Sequence, residues 1–430
     1  MRLFIKKILY YILQIEARLV LLKYKPKIIA ITGSVGKTST KDAVYAVLSK
    51  VVHVRKSEKS YNSEIGLPLT VLGVQNGWNN LFIWFVNILK GLWLILAPHR
   101  YPKWLILEVG VGKPGDMKKT ASWMTTDVVV MTAIGDTPAH IEFFESREHL
   151  IKEKAGLIKT LRAGGLLVLN RDDEAVFGLK EKTKNVAISF GFHEDADILG
   201  SSMSISYDKE NIPAGVIFRV DEEGKSLPVE ISGVFGRNHV YASLAALAVA
   251  SGLKLNMLGA VEALKYYDVP PGRMRLLRGI NGSMIIDDTY NSSPFACESA
   301  LRMLGEIKLE RKVAVLGDML ELGKHTIDAH KNIGKFASEN ADMILVVGPR
   351  AQSIREGALE AGTQEKNIFT FQNSYEAGDF LKSFVRKGDL ILVKGSQGMR
   401  MERTLEAILL DQKNKYHLLV RQDKEWLEKK

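Results

Sequence analysis

The stretch "PKIIAITGSVGKTST", which starts at Pro26, constrains the fold of this chain more than any other. Its apolar run predicts a buried parallel strand, and apolar residues at helical spacing follow the glycines. Strand, glycine turn and helix form the setting of a phosphate-binding loop, where backbone N–H groups at a helix N-terminus bind anions. The common form of this loop has a longer spacer, whereas only two residues separate Gly33 from Gly36.

The residues after this turn have the side chains that nucleotide binding requires. Lys37 can neutralise the charge of the β- and γ-phosphates, and the Thr38 hydroxyl can hold Mg²⁺. An ordinary strand-to-helix turn is the alternative. We therefore predict an ATP site whose nucleotide-binding residues include Gly33, Ser34, Gly36, Lys37, Thr38 and Ser39.

The rest of the first half predicts an α/β domain. Buried strands are expected in "KWLILEVG" from Lys103, "TDVVVMTAIG" from Thr126 and "GGLLVLNRDD" from Gly164, separated in part by helical stretches. Alternating sequence with turn residues between about 195 and 235 predicts a small antiparallel sheet appended to this mostly parallel one. "HVYASLAALAVASGL" from His239 predicts a helix.

A linker separates this domain from a second α/β unit. "YYDVPPGRMRLL" has the only adjacent prolines and predicts a boundary between residues 271 and 277. Beyond it, "SMIIDDTYN", "RKVAVLGDM", "ADMILVVG" and "GDLILVKGS" are apolar strands that end in polar residues, typical of a Rossmann-like domain. We predict an N-terminal helix over 1–27, a central ATP-binding domain over 28–272 and a C-terminal domain over 273–430.

Charge and cysteine content restrict the class of protein. The 430 residues have a net charge of +10, but the basic residues are spread along the chain without a nucleic-acid-binding signature, so we expect no nucleic acid partner. One cysteine, Cys297, excludes a disulfide framework and a zinc site built from several cysteines. This composition favours a cytoplasmic protein.

Two apolar segments raise the question of membrane contact. The segment 1–27 contains Lys6, Lys7, Glu16 and Arg18, which predicts an amphipathic helix rather than a signal peptide. It lies either on an anionic bilayer or on the surface of the protein. The apolar run from Leu81 to Ala97 is too short and too polar to span a bilayer, so we expect an interfacial or core-packed helix.

Several further motifs occur in an order that resembles the Mur ligase family. They are "SYNSEIGLPLTVL", "EVG", "GDTPAHIEFF", "KEKAGLI", "GVFGRNHVYASLAA", "PPGRM", "DDTYNSSP", "VLGDMLELG" and "LVKGSQGMRME". The resemblance covers about residues 28 to 410, and the short glycine spacer is the form of the loop found in this family. "DDTYNSSP" and "VLGDMLELG" most resemble the branch that adds D-alanyl-D-alanine to a UDP-N-acetylmuramoyl-tripeptide.

The resemblance implies an ADP-forming amide ligase. In this family a carboxylate attacks the γ-phosphate of ATP to form an acyl phosphate, and an amine then displaces phosphate. The implied ligands of two Mg²⁺ ions are Thr38, Glu108, His140 and a carbamylated Lys154. Lys37, Lys154, His140 and Arg273 are the implied catalytic residues.

The resemblance also implies the remaining contacts of the substrates. Asn238, His239, Arg273, Asp288 and Asn291 would bind the nucleotide, although the order of Asn238 and His239 is reversed relative to the family. Gln397 replaces the usual arginine of this branch. The residues implied for the amine and for the muramyl-peptide-like carboxylate substrate are Asn62, Asp318, Glu321, Lys394 and Ser396.

The start of the chain differs from that of the peptidoglycan enzymes of the family. Only about thirty residues precede the glycine turn, too few for an independent UDP-binding domain, so we expect that domain to be missing from this sequence. The alternatives are therefore ligation of another substrate, in poly-amino-acid synthesis or lipid II modification, and a non-catalytic nucleotide-binding protein at the membrane. Known amidating relatives have a cysteine-rich zinc insertion. The single cysteine argues against that version and leaves a variant without the metal as an alternative.

Overall fold

The structure is a computed structural model that describes residues 2–58, 61–135 and 143–428, with side chains from residue 8 onward. The chain divides into two compact units. The first comprises residues 1–203, 218–229 and 237–268, and the second comprises 204–217, 230–236 and 269–430.

The helices in the described ranges are α1 (Arg2–Tyr24), α2 (Lys37–Ser49), α3 (Gly66–Leu72), α4 (Leu81–Leu96), α5 (Asp116–Ala121), α6 (Arg147–Ala155), α7 (Glu174–Phe177), α8 (Arg237–Gly252), α9 (Met257–Leu264), α10 (Pro294–Glu306), α11 (Thr326–Asn340), α12 (Gln352–Glu360), α13 (Ser374–Phe384), α14 (Glu402–Ile408), α15 (Lys415–Leu418) and α16 (Lys424–Leu427). The strands are β1 (Lys27–Thr32), β2 (Val54–Lys56), β3 (Trp104–Glu108), β4 (Thr126–Met131), β5 (Leu161–Asn170), β6 (Val186–Gly191), β7 (Ile198–Tyr207), β8 (Pro213–Glu222), β9 (Lys225–Ser232), β10 (Arg275–Arg278), β11 (Met284–Asp288), β12 (Arg311–Gly317), β13 (Met343–Val347), β14 (Ile368–Phe371) and β15 (Asp389–Lys394).

Nine strands form the larger sheet in the order β2-β3-β1-β4-β5-β6-β7-β8-β9. The pairs from β2 to β7 are parallel. Except between β6 and β7, where the connection is short, helices or long connections return the chain to the same edge of the sheet. Strands β7 to β9 are the alternating segment that the sequence predicts as a small appended sheet. They extend the edge of the main sheet.

Helices cover both faces of this sheet in the first unit. Strand β1 is buried along almost its whole length, as a strand covered on both faces should be. On one face, apolar residues of α1 and α3, including Leu13, Val20 and Leu69, share a core with the strands. On the other face, α2 packs against α8 and α9.

The second unit has a six-stranded sheet in the order β10-β11-β15-β12-β13-β14. Strands β11 to β15 pair in parallel, and β10 runs antiparallel to β11. The four strands that the sequence predicts here are all present, and they end at Asp288, Gly317, Val347 and Lys394. The predicted α/β fold class, with a large and mostly parallel sheet, is confirmed.

No helix in the described part of the chain is both long enough and apolar enough to cross a membrane. The two apolar segments form helices α1 and α4. Helix α1 packs on the protein through Leu13, Ala17 and Val20, and α4 packs on α1.

Candidate functional site

The glycine turn connects β1 to α2 at the carboxyl edge of the larger sheet. Gly33 has φ +148°. A Cβ atom on it would lie 1.9 Å from Oγ1 of Thr132, the residue that follows β4, so a side chain would collide there. Gly36 has φ +84°, in the left-handed region that glycine adopts readily. The two glycines therefore permit a tight bend that other residues would strain.

The end of β4 fixes the conformation of this bend. The backbone N–H groups of Ser34 and Val35 donate to the carbonyl oxygen of Ala133, at 2.7 and 3.1 Å. The Thr132 hydroxyl donates to the carbonyl oxygen of Val35 at 2.6 Å. Sequence reasoning missed Thr132, since an isolated threonine after a strand has no distinctive pattern.

Helix α2 begins at Lys37 without a side-chain hydrogen bond at its N-cap, Gly36. Its first N–H groups and the positive end of its dipole therefore form an anion-binding position. The Lys37 ammonium donates to the carbonyl oxygens of Gly33 and Ser34, at 2.8 and 3.3 Å. The ammonium of Lys37, which is predicted to bind phosphate, therefore lies against the backbone of the bend.

Three residues that the sequence predicts for the site, Thr38, Asn62 and Glu108, are joined by hydrogen bonds. Glu108 ends β3, and its backbone pairs in register with Ile31 of β1, next to the bend. Oε1 of Glu108 accepts hydrogen bonds from the Thr38 hydroxyl at 3.2 Å and from the Asn62 amide at 3.0 Å. The side chain is almost completely buried, and its Oε2 atom is buried without a hydrogen-bond partner.

The buried cation Lys41 partly compensates the charge of Glu108. Its Nζ atom lies 4.0 Å from Oε2 of Glu108 and 3.6 Å from Asp42, and it donates to the carbonyl oxygen of Ser57 at 2.9 Å. Lys41 was not predicted, although it follows Lys37 by one helical turn, a spacing that places both lysines on one side of α2.

The donor set around Glu108 fits Mg²⁺. A hydroxyl and a carboxylate are hard oxygen ligands, and the Oε2 atom has no competing hydrogen-bond donor. In the described part of the chain, no group of three or more His, Cys, Asp or Glu side chains is placed to hold a metal ion. A Mg²⁺ ion here would therefore take further oxygen ligands from phosphates or water, as Mg²⁺ in nucleotide sites commonly does.

Lys154 also contacts the bend. It belongs to α6, is 2% exposed, and donates from Nζ to the carbonyl oxygen of Gly33 at 3.0 Å. Burial, together with the nearby charge of Lys37, lowers its pKa to about 7. A buried lysine with this pKa is partly neutral near pH 7, as reaction of an amine with CO₂ requires.

His140, the predicted second metal ligand, lies outside the described residues. Asp173 and Arg147 anchor the chain just before that gap. Oδ2 of Asp173 accepts from the N–H groups of Ile134 and Gly135, at 2.7 and 3.0 Å, and Arg147 donates to the carbonyl oxygen of Gly135.

Asn238 and His239 lie in the first turn of α8. The imidazole of His239 is buried, with Nδ1 3.0 Å from the hydroxyl of Tyr267. Asn238 is half-buried. The role of this pair in nucleotide binding stays a prediction.

In the second unit, a buried ion pair joins β11 to β15. Nζ of Lys394 lies 2.7 Å from Oδ2 of Asp288 and donates to the carbonyl oxygen of Asn291 at 2.9 Å. The backbone N–H of Gln397 donates to the Asn291 side chain at 3.3 Å. The guanidinium of Arg273 lies 3.9 Å from the ring centroid of Tyr290.

The loop after β12 contacts the segment that follows β15. The Ser396 hydroxyl accepts from the N–H of Leu320 at 2.9 Å, and Oδ1 of Asp318 accepts from the N–H of Ala351 at 2.8 Å. Burial raises the pKa of Asp318. Glu321 is exposed and has φ +64°, an uncommon conformation for a residue with a side chain.

Two supporting residues of this unit had no signal in the sequence. Nε2 of His330 accepts from the N–H of Met319 at 2.9 Å, while its Nδ1 donates to the carbonyl oxygen of Thr326. Arg421 donates to the carbonyl oxygen of Thr289 at 3.1 Å and pairs with Glu402 at 2.7 Å. Arg421 and Thr289 are 132 residues apart in sequence, so only the fold reveals their contact.

Comparison with known proteins agrees with this geometry. The Mur ligase middle-domain model matches residues 31–84 and 92–250, and the Mur ligase glutamate ligase domain model matches residues 272–397. The UDP-N-acetylmuramoyl-tripeptide–D-alanyl-D-alanine ligase of Bacillus subtilis is 27% identical over 408 residues, which are 92% of this chain and 79% of the relative.

Two solved structures share the fold. The MurF ligase of Thermotoga maritima in complex with ADP is 26% identical, with a TM-score of 0.74 over 93% of this chain and 83% of that one. MurF of Acinetobacter baumannii is 24% identical, with a TM-score of 0.75 over 92% and 79% of the two chains. The two domain models together match most of the chain and show that it belongs to the Mur ligase family.

Proposed function

We propose that this protein is an ADP-forming ligase that adds D-alanyl-D-alanine to a muramyl-peptide carboxylate in peptidoglycan precursor synthesis. The observation that carries the proposal is the meeting of Lys37, Thr38 and Glu108 at one glycine bend. The similar Bacillus subtilis protein is named for this reaction. Amide formation from a carboxylate needs activation, and phosphoryl transfer from ATP supplies it.

The residues of the bend would hold the triphosphate of ATP. Backbone N–H groups at the start of α2 bind phosphate oxygens, and Lys37 exchanges the carbonyls of Gly33 and Ser34 for the β- and γ-phosphates. Thr38 and Glu108 would hold Mg²⁺, which neutralises the charge that accumulates when a carboxylate approaches a triphosphate. Asn62 orients Glu108 through its 3.0 Å hydrogen bond.

Lys154 would act as a carbamate rather than as an ammonium. A protonated amine beside Lys37 places two cations near one carbonyl oxygen, whereas a carbamate would place an anion there. That anion would suit a second Mg²⁺ together with His140. The lowered pKa of Lys154 supports the modification, since the neutral amine is the form that reacts with CO₂.

Each of the two domains would bind a different part of the substrates. We assign ATP binding to the central domain, 28–272, with Ser39, Asn238 and His239 near the nucleotide. The C-terminal domain, 273–430, would supply Arg273, Asp288 and Asn291 to ATP, and Asp318, Glu321, Lys394 and Ser396 to the amine substrate. The acidic side chains at this edge suit a substrate ammonium, which must lose a proton before its nitrogen can attack the acyl phosphate.

We also propose that the enzyme works in the cytoplasm and contacts the inner face of the membrane peripherally. A lipid-linked carboxylate substrate is the second candidate, favoured by the apolar exposed faces of α1 and α4.

The test uses purified full-length protein with ATP, Mg²⁺, UDP-N-acetylmuramoyl-tripeptide and D-alanyl-D-alanine, with products identified by mass spectrometry. We expect the pentapeptide product and ADP in equal amounts. Parallel reactions contain a lipid-linked peptide in place of the UDP-linked one, or other D-amino dipeptides. ATP binding without product from any pair of substrates would contradict the proposal and favour a non-catalytic nucleotide-binding protein.

A further inference from the structure

Helix α4 exposes a stripe of large apolar side chains to solvent. Phe82, Phe85, Leu89, Trp93 and Leu96 recur at helical spacing and are all exposed, from 48% for Leu89 to 79% for Leu96. The buried residues of the helix, Trp84, Asn87 and Gly91, lie on its other side. Solvent-exposed aromatic residues at this density are typical of a surface that contacts a partner.

Helix α1 also has an exposed apolar stripe. Tyr11, Ile15, Leu19 and Leu22 form its exposed stripe, whereas Leu13, Ala17 and Val20 face the core. The two helices pack together and run in the same direction, because α1's Glu16 lies against Gly91 and Tyr24 donates to the carbonyl oxygen of Leu94 at 2.9 Å. The two stripes therefore belong to one helix pair, called here the docking face.

A basic pocket lies where both helices end. It is an open cavity of about 550 Å³ between residues 24–27 and 99–104. Its cationic side chains are Lys25, Lys27, Arg100 and Lys103, with His99 beside them, and no acidic residue lines it. Among the described residues, no carboxylate forms an ion pair with Lys25, Arg100 or Lys103.

This pocket is separate from the nucleotide site. Lys27 and Trp104 begin β1 and β3, while the glycine bend and Glu108 follow the other ends of the same strands. Five residues of strand place the two edges roughly 13 Å apart. The pocket therefore provides a second place for an anion, on the edge of the sheet opposite the catalytic residues.

Charge complementarity identifies the partner. Residues 8–27 and 81–103 contain seven Lys and Arg residues but a single acidic residue, Glu16, which is buried. Lys23 caps α4 by donating to the carbonyl oxygens of Leu94, Ile95 and Ala97, so six basic residues remain for an external anion. An apolar, aromatic face edged with cations matches the interface of an anionic bilayer, where apolar residues enter the acyl region and cations meet phosphates.

We propose that the docking face binds the surface of a membrane containing anionic phospholipids, with lipid headgroup phosphates in the pocket of Lys25, Lys27, Arg100 and Lys103. The stripes of α1 and α4 lie in the plane of the interface. This proposal rests on the peripheral membrane contact proposed above and specifies its surface and lipid. It does not depend on the ligase reaction, because none of these residues contacts the glycine bend.

Flotation of the full chain with vesicles tests the proposal. Vesicles of phosphatidylcholine alone are compared with vesicles that contain phosphatidylglycerol as well, at low and high salt and without nucleotide or substrates. We expect co-flotation only with the anionic vesicles, weakened by salt because surface charges are screened. Equal binding to both kinds of vesicle, or to neither, would overturn the proposal.

Two variants and a matched control separate the contributions of charge and apolar contact. Lys25→Gln/Arg100→Gln/Lys103→Gln should weaken binding to anionic vesicles about 100-fold, from the usual contribution of each basic residue near a charged surface. Phe82→Ser/Phe85→Ser/Trp93→Ser should abolish stable flotation. The control, Lys182→Gln/Lys184→Gln/Lys209→Gln, removes the same charge from exposed positions elsewhere and should float like the unmodified protein.

Two further measurements check that the variants are folded and whether the pocket binds a lipid phosphate or a soluble one. The thermal unfolding midpoint of each variant, measured without ligands, shows whether it is folded; a pocket variant that unfolds is replaced by the single change Arg100→Gln. Inorganic phosphate at constant ionic strength should not displace the vesicles. Phosphate binding in the pocket without any vesicle binding would assign the pocket to a soluble phosphate and contradict the membrane proposal.

Discussion

Thr38 donates a hydrogen bond of 3.2 Å from Oγ1 to Oε1 of Glu108, joining the first turn of α2 to the end of β3 across 70 residues of sequence. The contact exists because β1 and β3 are parallel neighbours and pair Ile31 with Glu108. The same pairing places the buried, unbonded Oε2 atom of Glu108 beside the glycine bend.

Changing Glu108 to Gln should impair the use of Mg²⁺ more than the fold. The amide has the shape of the carboxylate but lacks its charge, so we expect the Mg²⁺ concentration for half-maximal activity to rise about tenfold or more. Titration of Mg²⁺ in the ligase assay measures this, and calorimetry of Mg–ADP binding provides a second readout. An unchanged Mg²⁺ dependence in both would remove Glu108 from the metal site.

Changing Lys37 to Ala should remove the cation that meets the transferred phosphoryl group. We expect the rate of ADP formation to fall by about 10³-fold or more, since charge at this position stabilises the transition state. The exposed Lys182, changed to Ala, is the control and should retain full activity. Near-normal turnover by the Lys37 variant would contradict the phosphate-loop assignment.

Lys154 should form a carbamate. With ¹³C-labelled bicarbonate, we expect a carbamate resonance in the ¹³C spectrum of the unmodified protein and of the Lys152→Ala control, whose side chain is exposed. Lys154→Ala should lack the resonance and most of the activity, and a short-chain carboxylate added to this variant should restore part of the activity. A spectrum without the resonance would leave Lys154 as an unmodified amine that bonds to Gly33.

Glu16 should make stability depend on pH. Its carboxylate is buried between α1 and α4 without a hydrogen-bond partner, and burial raises its pKa from 4.5 to about 7. The folded state therefore holds the proton more tightly than the unfolded state, so this stabilisation is complete below pH 4.5 and is lost as the pH rises through 7.

Glu16→Gln should remove this dependence, because the amide does not ionise. We expect the thermal midpoint of the unmodified protein to fall more than that of the variant between pH 5 and pH 8. The exposed Glu194→Gln is the control and should follow the unmodified protein. Parallel curves for Glu16→Gln and the unmodified protein would show that the carboxylate is not buried uncharged.

The sequence predicts the parts of the fold that depend on local pattern. Apolar runs bounded by glycines predict β1, β3, β4 and β5, because strands covered on both faces need continuous apolar side chains. The pattern could not predict β10 or β14, which have four residues each and depend on neighbouring strands. Nor could it predict that β7 to β9 extend the main sheet, since pairing between strands is not local.

Some residues of the candidate site are likewise predictable from the sequence, whereas others are not. The bend with Lys37 and Thr38 is contiguous in sequence, so its chemistry is visible before the fold is known. Glu108 and Lys154 needed the family resemblance, because isolated charged residues are usually solvated. The structure buries both, and their supporting residues, Lys41 and Thr132, emerge only from contacts between distant segments.

The transfer of oxygen from substrate to phosphate tests the central claim most directly. That claim is that the glycine bend and Lys37 position ATP so that its γ-phosphoryl group activates a carboxylate for coupling to an amine. The muramyl-peptide carboxylate is labelled with ¹⁸O, and the phosphate released with ADP is analysed by mass spectrometry. The account predicts one ¹⁸O atom in each phosphate, delivered through an acyl phosphate. Amide product accompanied by unlabelled phosphate, or by AMP and pyrophosphate, would contradict it.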